Sequence, residues 1–307
     1  MSQLISCLPK KEVFQRLRHG GLSLRTGPYV YRITTSLPEV CKGICDLYGD
    51  HEVPDDDVYT NFDISLNYPS RWRRLIRPKV IFNFDYQQPF APIAPDQAYA
   101  FLEWGMNWCV AQYTNQYLKL HASVLEKSGQ ALIMPGSPGA GKSTLCAALM
   151  LAGWRLLSDE FALISRDDLS LTALCRPIGL KNESIELVQG REKGLVMGPP
   201  SRGTHKGTVV HLKPTQSSVE GVDKQAQPAI MLFPKYQEGA EIRLDERLKE
   251  TAFIVAAQQS FNYSLLGREG FELMEGLIDR CRCFDLKFSD LDEAIGAIDS
   301  LVESTDV

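Results

Sequence analysis

The stretch Gly136-Ser137-Pro138-Gly139-Ala140-Gly141-Lys142-Ser143-Thr144 satisfies every fixed position of G-x-x-x-x-G-K-[ST]. Few sequence features restrict a fold so strongly. Its glycines let the backbone curl until successive N–H groups point inward at an anion. A helix beginning near Lys142 would aim its positive dipole end at the same place. The flanks agree, because the apolar run "QALIMPG" reads as a strand entering the loop and an amphipathic helical pattern leaves it. Lys142 is placed to reach the β- and γ-phosphates, and the Ser143 hydroxyl is placed to ligate Mg²⁺. The whole run from Gly136 to Thr144 is therefore the expected nucleotide cradle, with ATP and Mg²⁺ as its expected ligands.

What surrounds the loop is unusual for a doubly wound nucleotide-binding domain. Upstream, "LKLHASVL" and "QALIMPG" are separated by Glu126-Lys127-Ser128-Gly129, which reads as a hairpin turn. Alternation puts Leu118, Leu120, Ala122 and Val124 on one face of the first strand and Lys119, His121 and Ser123 on the other. Downstream, "WRLLS" leads into Asp159-Glu160, and "FALIS" follows, so that hairpin-like connections flank the loop on both sides. Asp159 comes only 17 residues after Lys142. One helix running away and one short strand running back would return it beside the phosphates. His121 shares that neighbourhood, with acid–base chemistry as its natural role and a structural strand histidine as the plain alternative.

The remaining chain sets bounds. At 307 residues it is long enough for one large domain or two ordinary ones. "YVYRIT", "TNFDISLNY" and "KVIFNFD" read as strands, and "LPEVCKGICDLYGD" as a helix stopped at Gly49. The proline-rich Gln88–Asp96 reads as a connector. We therefore expect an N-terminal α+β domain over 1–95 and a catalytic α/β domain over 96–307, with Asp96 capping a long helix and a mostly helical region after Glu246. Residues after Pro177 read as loop-rich until "AIMLFPKY" and "AEIRLDE" resume strand patterns. A net charge of −5 provides no global basic field for nucleic acid. No apolar run reaches the ~20 residues of a membrane span, and the N-terminus lacks a signal-peptide pattern, so a cytoplasmic protein is expected. The eight scattered cysteines read as reduced thiols.

Together, the strand histidine, the hairpin into the loop and the carboxylate pair after "GWRLLSDE" resemble the HPr kinase/phosphorylase catalytic domain. "EWGMNWC", "LHASVLE", "GWRLLSDEFALI", "GLKNES" and "FNYSLLGREGF" are similar to motifs of the HPr-kinase-related group called HprK-related kinase A. The resemblance implies a fold of the HPr kinase and phosphoenolpyruvate carboxykinase type, with the loop in a mixed central sheet. It implies nucleotide-dependent phosphorylation of serine. By position, Asp159 matches the catalytic base, Glu160 the second acid associated with Mg²⁺, and His121 the histidine that works with the base. Glu160 stands where the family has Asp, and the family's downstream signature is not recognisable, so the resemblance does not carry HPr over as the acceptor. Relatives in this broad group phosphorylate lasso-peptide precursors. The kinase A group is associated with small peptide-binding proteins of the PqqD type, so a peptide or small-protein acceptor is the expectation. The family is also oligomeric.

Weaker signals complete the reading. Phosphoryl transfer needs cations against developing charge, and "CRPIGLKNES" offers Arg176, Lys181 and Asn182 as candidate substrate-binding residues. "SRGTHKG" and the basic run Arg71–Lys79 are read as solvated faces. The residues by themselves leave three functions open: a kinase acting on a peptide or small-molecule hydroxyl, a nucleotide-gated switch, and a P-loop hydrolase.

Overall fold

The computed structural model describes residues 3–55, 57–70, 77–137 and 139–303. Pro138 of the Gly136–Thr144 loop and residues 71–76 of the basic run lie outside them. The chain forms two compact units, residues 1–112 with 176–213, and residues 113–175 with 214–307. The proline-rich segment Gln88–Asp96 falls inside the first unit.

The first unit begins with β1 (Gln3–Leu4), α1 (Lys10–Arg18), β2 (Leu22–Thr26), β3 (Tyr29–Thr35) and α2 (Pro38–Leu47). It continues with β4 (Glu52–Val53), β5 (Phe62–Asn67), β6 (Ile81–Phe84) and α3 (Ala98–Tyr113). Asp96 does not cap α3 as its sequence position suggested. It lies inside a single 3₁₀ turn, Pro95–Gln97, whose start carries no side-chain cap. The second unit then supplies β7 (Tyr117–Lys127), β8 (Gln130–Pro135), α4 (Lys142–Leu151), β9 (Arg155–Ser158), β10 (Phe161–Ser165) and β11 (Leu171–Thr172). The chain returns to the first unit for β12 (Ile178–Lys181), α5 (Glu183–Gln189), β13 (Ser201–Thr204) and β14 (Gly207–Leu212). It closes in the second with α6 (Gln216–Glu220), β15 (Gln227–Tyr236), β16 (Arg243–Glu246), α7 (Lys249–Gln258), α8 (Tyr263–Leu266), α9 (Arg268–Arg280), β17 (Arg282–Phe288) and α10 (Leu291–Glu303).

The fold is mixed α/β with mixed sheets. In the first unit β2-β3-β5-β6 form one sheet, in which β3 and β5 are parallel, and β12-β14-β13 form another. Residues 176–213 thus include sheet and helix where the sequence read loop, because the strands are short and the two adjacent valines, Val209 and Val210, are flanked by Thr208 and His211. The second unit is built on an eight-stranded sheet ordered β11-β10-β7-β8-β15-β17-β16, with β9 also on β7. Strands β8, β15 and β17 are parallel, and the rest pair antiparallel. The region after Glu246 is mostly helical, as expected, with α7, α8, α9 and α10, and between β15 and β16 it also contributes one strand the sequence did not reveal, β17. Its Arg282, Asp285 and Lys287 hide the apolar pattern, yet Cys283, Phe284, Leu286 and Phe288 are buried.

One face of this sheet holds a core in which Leu118, Leu120, Ala122 and Val124 of β7 meet Ala252 and Ala256 of α7 and Met274, Leu277 and Ile278 of α9. The strand alternation expected for β7 is the alternation observed. Helix α4 packs against β7 and α10. Ser128 and Gly129 both take positive φ (55° and 81°), as a two-residue hairpin loop requires, and join β7 to β8. All eight cysteines are free thiols. No helix among the described residues is long and apolar enough to cross a membrane.

Candidate functional site

Strand β8 delivers the chain to Gly136 in the middle of the sheet. Gly139 and Gly141 then adopt φ of 88° and 90°, the left-handed region where a side chain would be strained. At Gly139 a Cβ would enter open space, so that glycine serves the backbone curl alone. At Gly141 a Cβ would come within 3.1 Å of Tyr236 Cβ and 3.3 Å of the Phe288 ring, so that glycine also admits two neighbours. Gly141 is the N-cap of α4 and has no side-chain capping bond, which leaves the first-turn N–H groups to an external acceptor. Lys142 is almost fully buried and its Nζ donates to the carbonyls of Gly136 and Ser137. The lysine is therefore folded along its own loop.

The acidic pair follows one helix, α4, and one short strand, β9, as its spacing suggested, but the strand after it does not fold back. Strands β9 and β10 are not two arms of a hairpin. Both run antiparallel to β7, one after the other, along the edge away from β8. Val124 pairs with Ser158 and His121 pairs with Phe161, which is one continuous register three residues along each strand. Asp159 consequently falls opposite Ser123, although the two residues between the strands are irregular. The expected second hairpin-like connection is corrected here: Ser158 Oγ accepts from the Glu160 and Phe161 amides (3.3 and 3.0 Å) and carries the chain straight through the interruption.

The loop and the acids become neighbours through β7. On one side Pro135, at the end of β8, pairs with Ala122. On the other Ser158, at the end of β9, pairs with Val124. Both strands point the same way, so the loop and Asp159 emerge level on either side of β7. The buried Ser123 hydroxyl donates to Asp159, 2.8 Å from Oδ1 and 3.0 Å from the main-chain oxygen. Cys146, one turn into α4, lies against the same carboxylate. Burial and the adjacent Asp159 charge push its thiol well above the ordinary range. Asp159 is itself only 6% exposed. His121 Nδ1 stands 3.5 Å from Glu160 Oε2.

Among the expected site residues, the structure thus gathers Gly136, Ser137, Gly139, Ala140, Gly141, Lys142, Ser143, Thr144, His121, Asp159 and Glu160 in the second unit. Arg176, Lys181 and Asn182 belong to the first. Arg176 is buried there and donates to Glu103 (3.2 Å to Oε2) and Asn107 (2.6 Å). Asn182 sits at φ 49°, accepts from the Thr208 amide at 3.1 Å and donates to the Lys206 carbonyl at 3.4 Å, pinning β12 to β14. Lys181 engages Ser184 through its main chain.

Sequence reasoning assigned no role to Ser123, Cys146, Phe261 or Tyr236. The main chain of Gln259–Phe261 continues the pairing of β7 beyond the end of β8, with the His121 amide donating to Gln259 (2.8 Å) and the Phe261 amide to Lys119 (3.0 Å). Buried Asn262 accepts from the Lys119 amide (2.9 Å) and donates to the Tyr117 carbonyl (2.8 Å). This latch holds the Phe261 ring on Phe161 (4.9 Å between centroids) and edgewise to His121 (6.1 Å). Ser123 stands on the His121 face of its strand in the sequence pattern and Cys146 one turn after Lys142, whereas Phe261 and Tyr236 meet the site from distant positions.

The donor set suits an Mg–nucleotide. A serine hydroxyl and a carboxylate are hard oxygen donors, and a loop-bound Mg²⁺ takes its other ligands from phosphates and water. Among the described residues, no three or more His, Cys, Asp or Glu side chains are grouped to hold a metal unaided. Among protein-family models and curated proteins, none matches this sequence.

Proposed function

We propose that the chain is an ATP- and Mg²⁺-dependent P-loop kinase of the HPr-kinase-like type, transferring the γ-phosphoryl group to a hydroxyl acceptor, a serine of a peptide or small protein. The observation that carries this reading is the shared register of β9 and β10 on β7. It holds a buried, hydrogen-bonded carboxylate at the sheet edge where the phosphate loop begins. A switch needs a phosphate sensor, but a carboxylate fixed this firmly suits a base for an incoming hydroxyl.

In this reading the loop amides and the N-terminus of α4 hold the phosphate chain, and Lys142 leaves its loop carbonyls for the β- and γ-phosphate oxygens. Ser143 and Glu160 would hold Mg²⁺, which supplies charge neutralisation on the transferred group. Asp159 accepts the acceptor's proton as its oxygen bonds to phosphorus and the bond to the ADP oxygen breaks. Ser123 and Cys146 keep the Asp159 carboxylate oriented. His121, beside Glu160, works with the acid pair. Phe261 and Phe161 wall the approach on the far side of His121.

The test is nucleotide turnover with and without a peptide extract. ADP release that depends on the extract, with phosphate appearing on serine, supports the kinase. Equal turnover in both samples would favour a hydrolase, and tight binding without turnover a switch.

A further inference from the structure

The triphosphate has two ends, and the sheet order assigns them different sides of the loop. Asp159 and His121 flank the loop through β7 on one side. On the other side, next to β8, the parallel strands β15 and β17 end at the same sheet edge with Tyr236 paired to Phe288. If the γ-phosphate faces Asp159, an extended triphosphate leaves the loop toward β15 and β17. Its nucleoside then arrives where these two strands stop.

Tyr236 is built into that position. Its amide donates to the Ala140 carbonyl of the phosphate loop at 3.1 Å. Its Cβ fills the space a side chain at Gly141 would need. The ring stands edgewise on the buried Phe288 ring, 5.9 Å between centroids and 70° between planes, which fixes one edge and leaves the side chain 47% exposed. The segment that follows is tied down as well. The Gln237 amide donates to the Phe288 carbonyl (2.9 Å) and the Gly239 amide to Ser289 Oγ (2.9 Å). Scattered exposed aromatics need no explanation. This one touches the phosphate loop, is held by a second aromatic, and lies on the side opposite the acids.

Resting on the nucleotide-binding reading above, we propose that Tyr236 is the stacking platform for the nucleobase of the bound nucleoside triphosphate. A π-face accepts any base, so ATP and GTP should both use it. Stacking on such a platform typically changes affinity by about 5- to 150-fold per base.

The experiment measures Mg²⁺-dependent binding of ATP and of inorganic triphosphate to wild type, Tyr236→Ala and Tyr236→Phe. Triphosphate occupies the loop but has no base. The proposal expects Tyr236→Ala to weaken ATP by about 5-fold or more while triphosphate changes by less than about twofold, and Tyr236→Phe to keep both affinities. Equal loss for both ligands would make Tyr236 a loop support and overturn the proposal. Unchanged ATP binding in Tyr236→Ala, or equal affinity of wild type for ATP and triphosphate, would overturn it too. Wild type that binds triphosphate but fails the platform test leaves the phosphate loop standing. Wild type that binds neither ligand removes the loop reading and the platform with it.

Discussion

The hydroxyl of Ser123 donates to Oδ1 of Asp159 across 2.8 Å, joining residues 36 apart in sequence at the centre of the candidate site. Replacing Ser123 by Ala removes the donor and leaves a buried carboxylate oxygen short of it. That typically costs ~1–3 kcal/mol. We expect Ser123→Ala to lose stability in this range in urea denaturation and to lower phosphoryl transfer with ATP affinity intact. A denaturation midpoint equal to wild type would show that the bond contributes nothing.

Lys142 Nζ donates to the Gly136 and Ser137 carbonyls of its own loop. Lys142→Met keeps the buried stem and removes the charge. Charged hydrogen bonds are worth ~1.5–3 kcal/mol, so ATP binding should weaken about 10- to 150-fold in a folded protein. Calorimetric titration reads this directly, and an unchanged affinity would exclude the loop from nucleotide binding.

Arg176 and Glu103 form a buried ion pair in the first unit, and Tyr48 and Tyr99 both donate to the Glu103 carboxylate at 2.7 Å. Breaking such a pair by removing one partner costs ~3–5 kcal/mol. Arg176→Ala should therefore unfold at markedly lower denaturant. A stable Arg176→Ala protein with weakened substrate binding would favour the substrate-binding role its sequence position suggested over a structural one.

Lys119 is fully buried on β7, and burial lowers its ammonium pKa to about 8. Above that value the folded protein holds a neutral amine, while the unfolded chain stays protonated to about 10.5. The unfolded state binds more protons in this window, so this lysine's contribution to stability rises as pH rises from about 8 to 10.5 and is lowest below 8. The difference in unfolding free energy between wild type and Lys119→Met, followed across pH, should shift by ~1–3 kcal/mol in favour of wild type over that interval. A flat difference would contradict the shift.

Local geometry was legible in the sequence. The curl of the Gly136–Thr144 loop, the β7–β8 turn and the alternation of β7 each depend on residues within a few positions of one another. Ser128 and Gly129 mark the turn because only certain residues tolerate its dihedrals. Asp159 could be placed near the loop because one helix and one strand leave little choice of return path. The pairing of Asp159 with Ser123 was not legible, because register is a tertiary choice. The same holds for β17: Arg247 pairs with Asp285 at its edge and Arg282 stacks on Phe284, so charged positions that look helical in sequence are used in a strand. Phe261 and Tyr236 reach the site only because Gln259–Phe261 and β15 are brought to the sheet edge by long connections.

The central claim is that Asp159 takes the proton of the acceptor. Asp159→Asn preserves the shape and its bond from Ser123 but removes the basicity. Single-turnover transfer from ATP to a serine acceptor, measured beside ATP affinity on the same preparation, tests it most directly. General-base catalysis is typically worth ~10²–10⁴-fold, so transfer should fall by about that factor while ATP binds as in wild type. Transfer at the wild-type rate in Asp159→Asn would contradict the account.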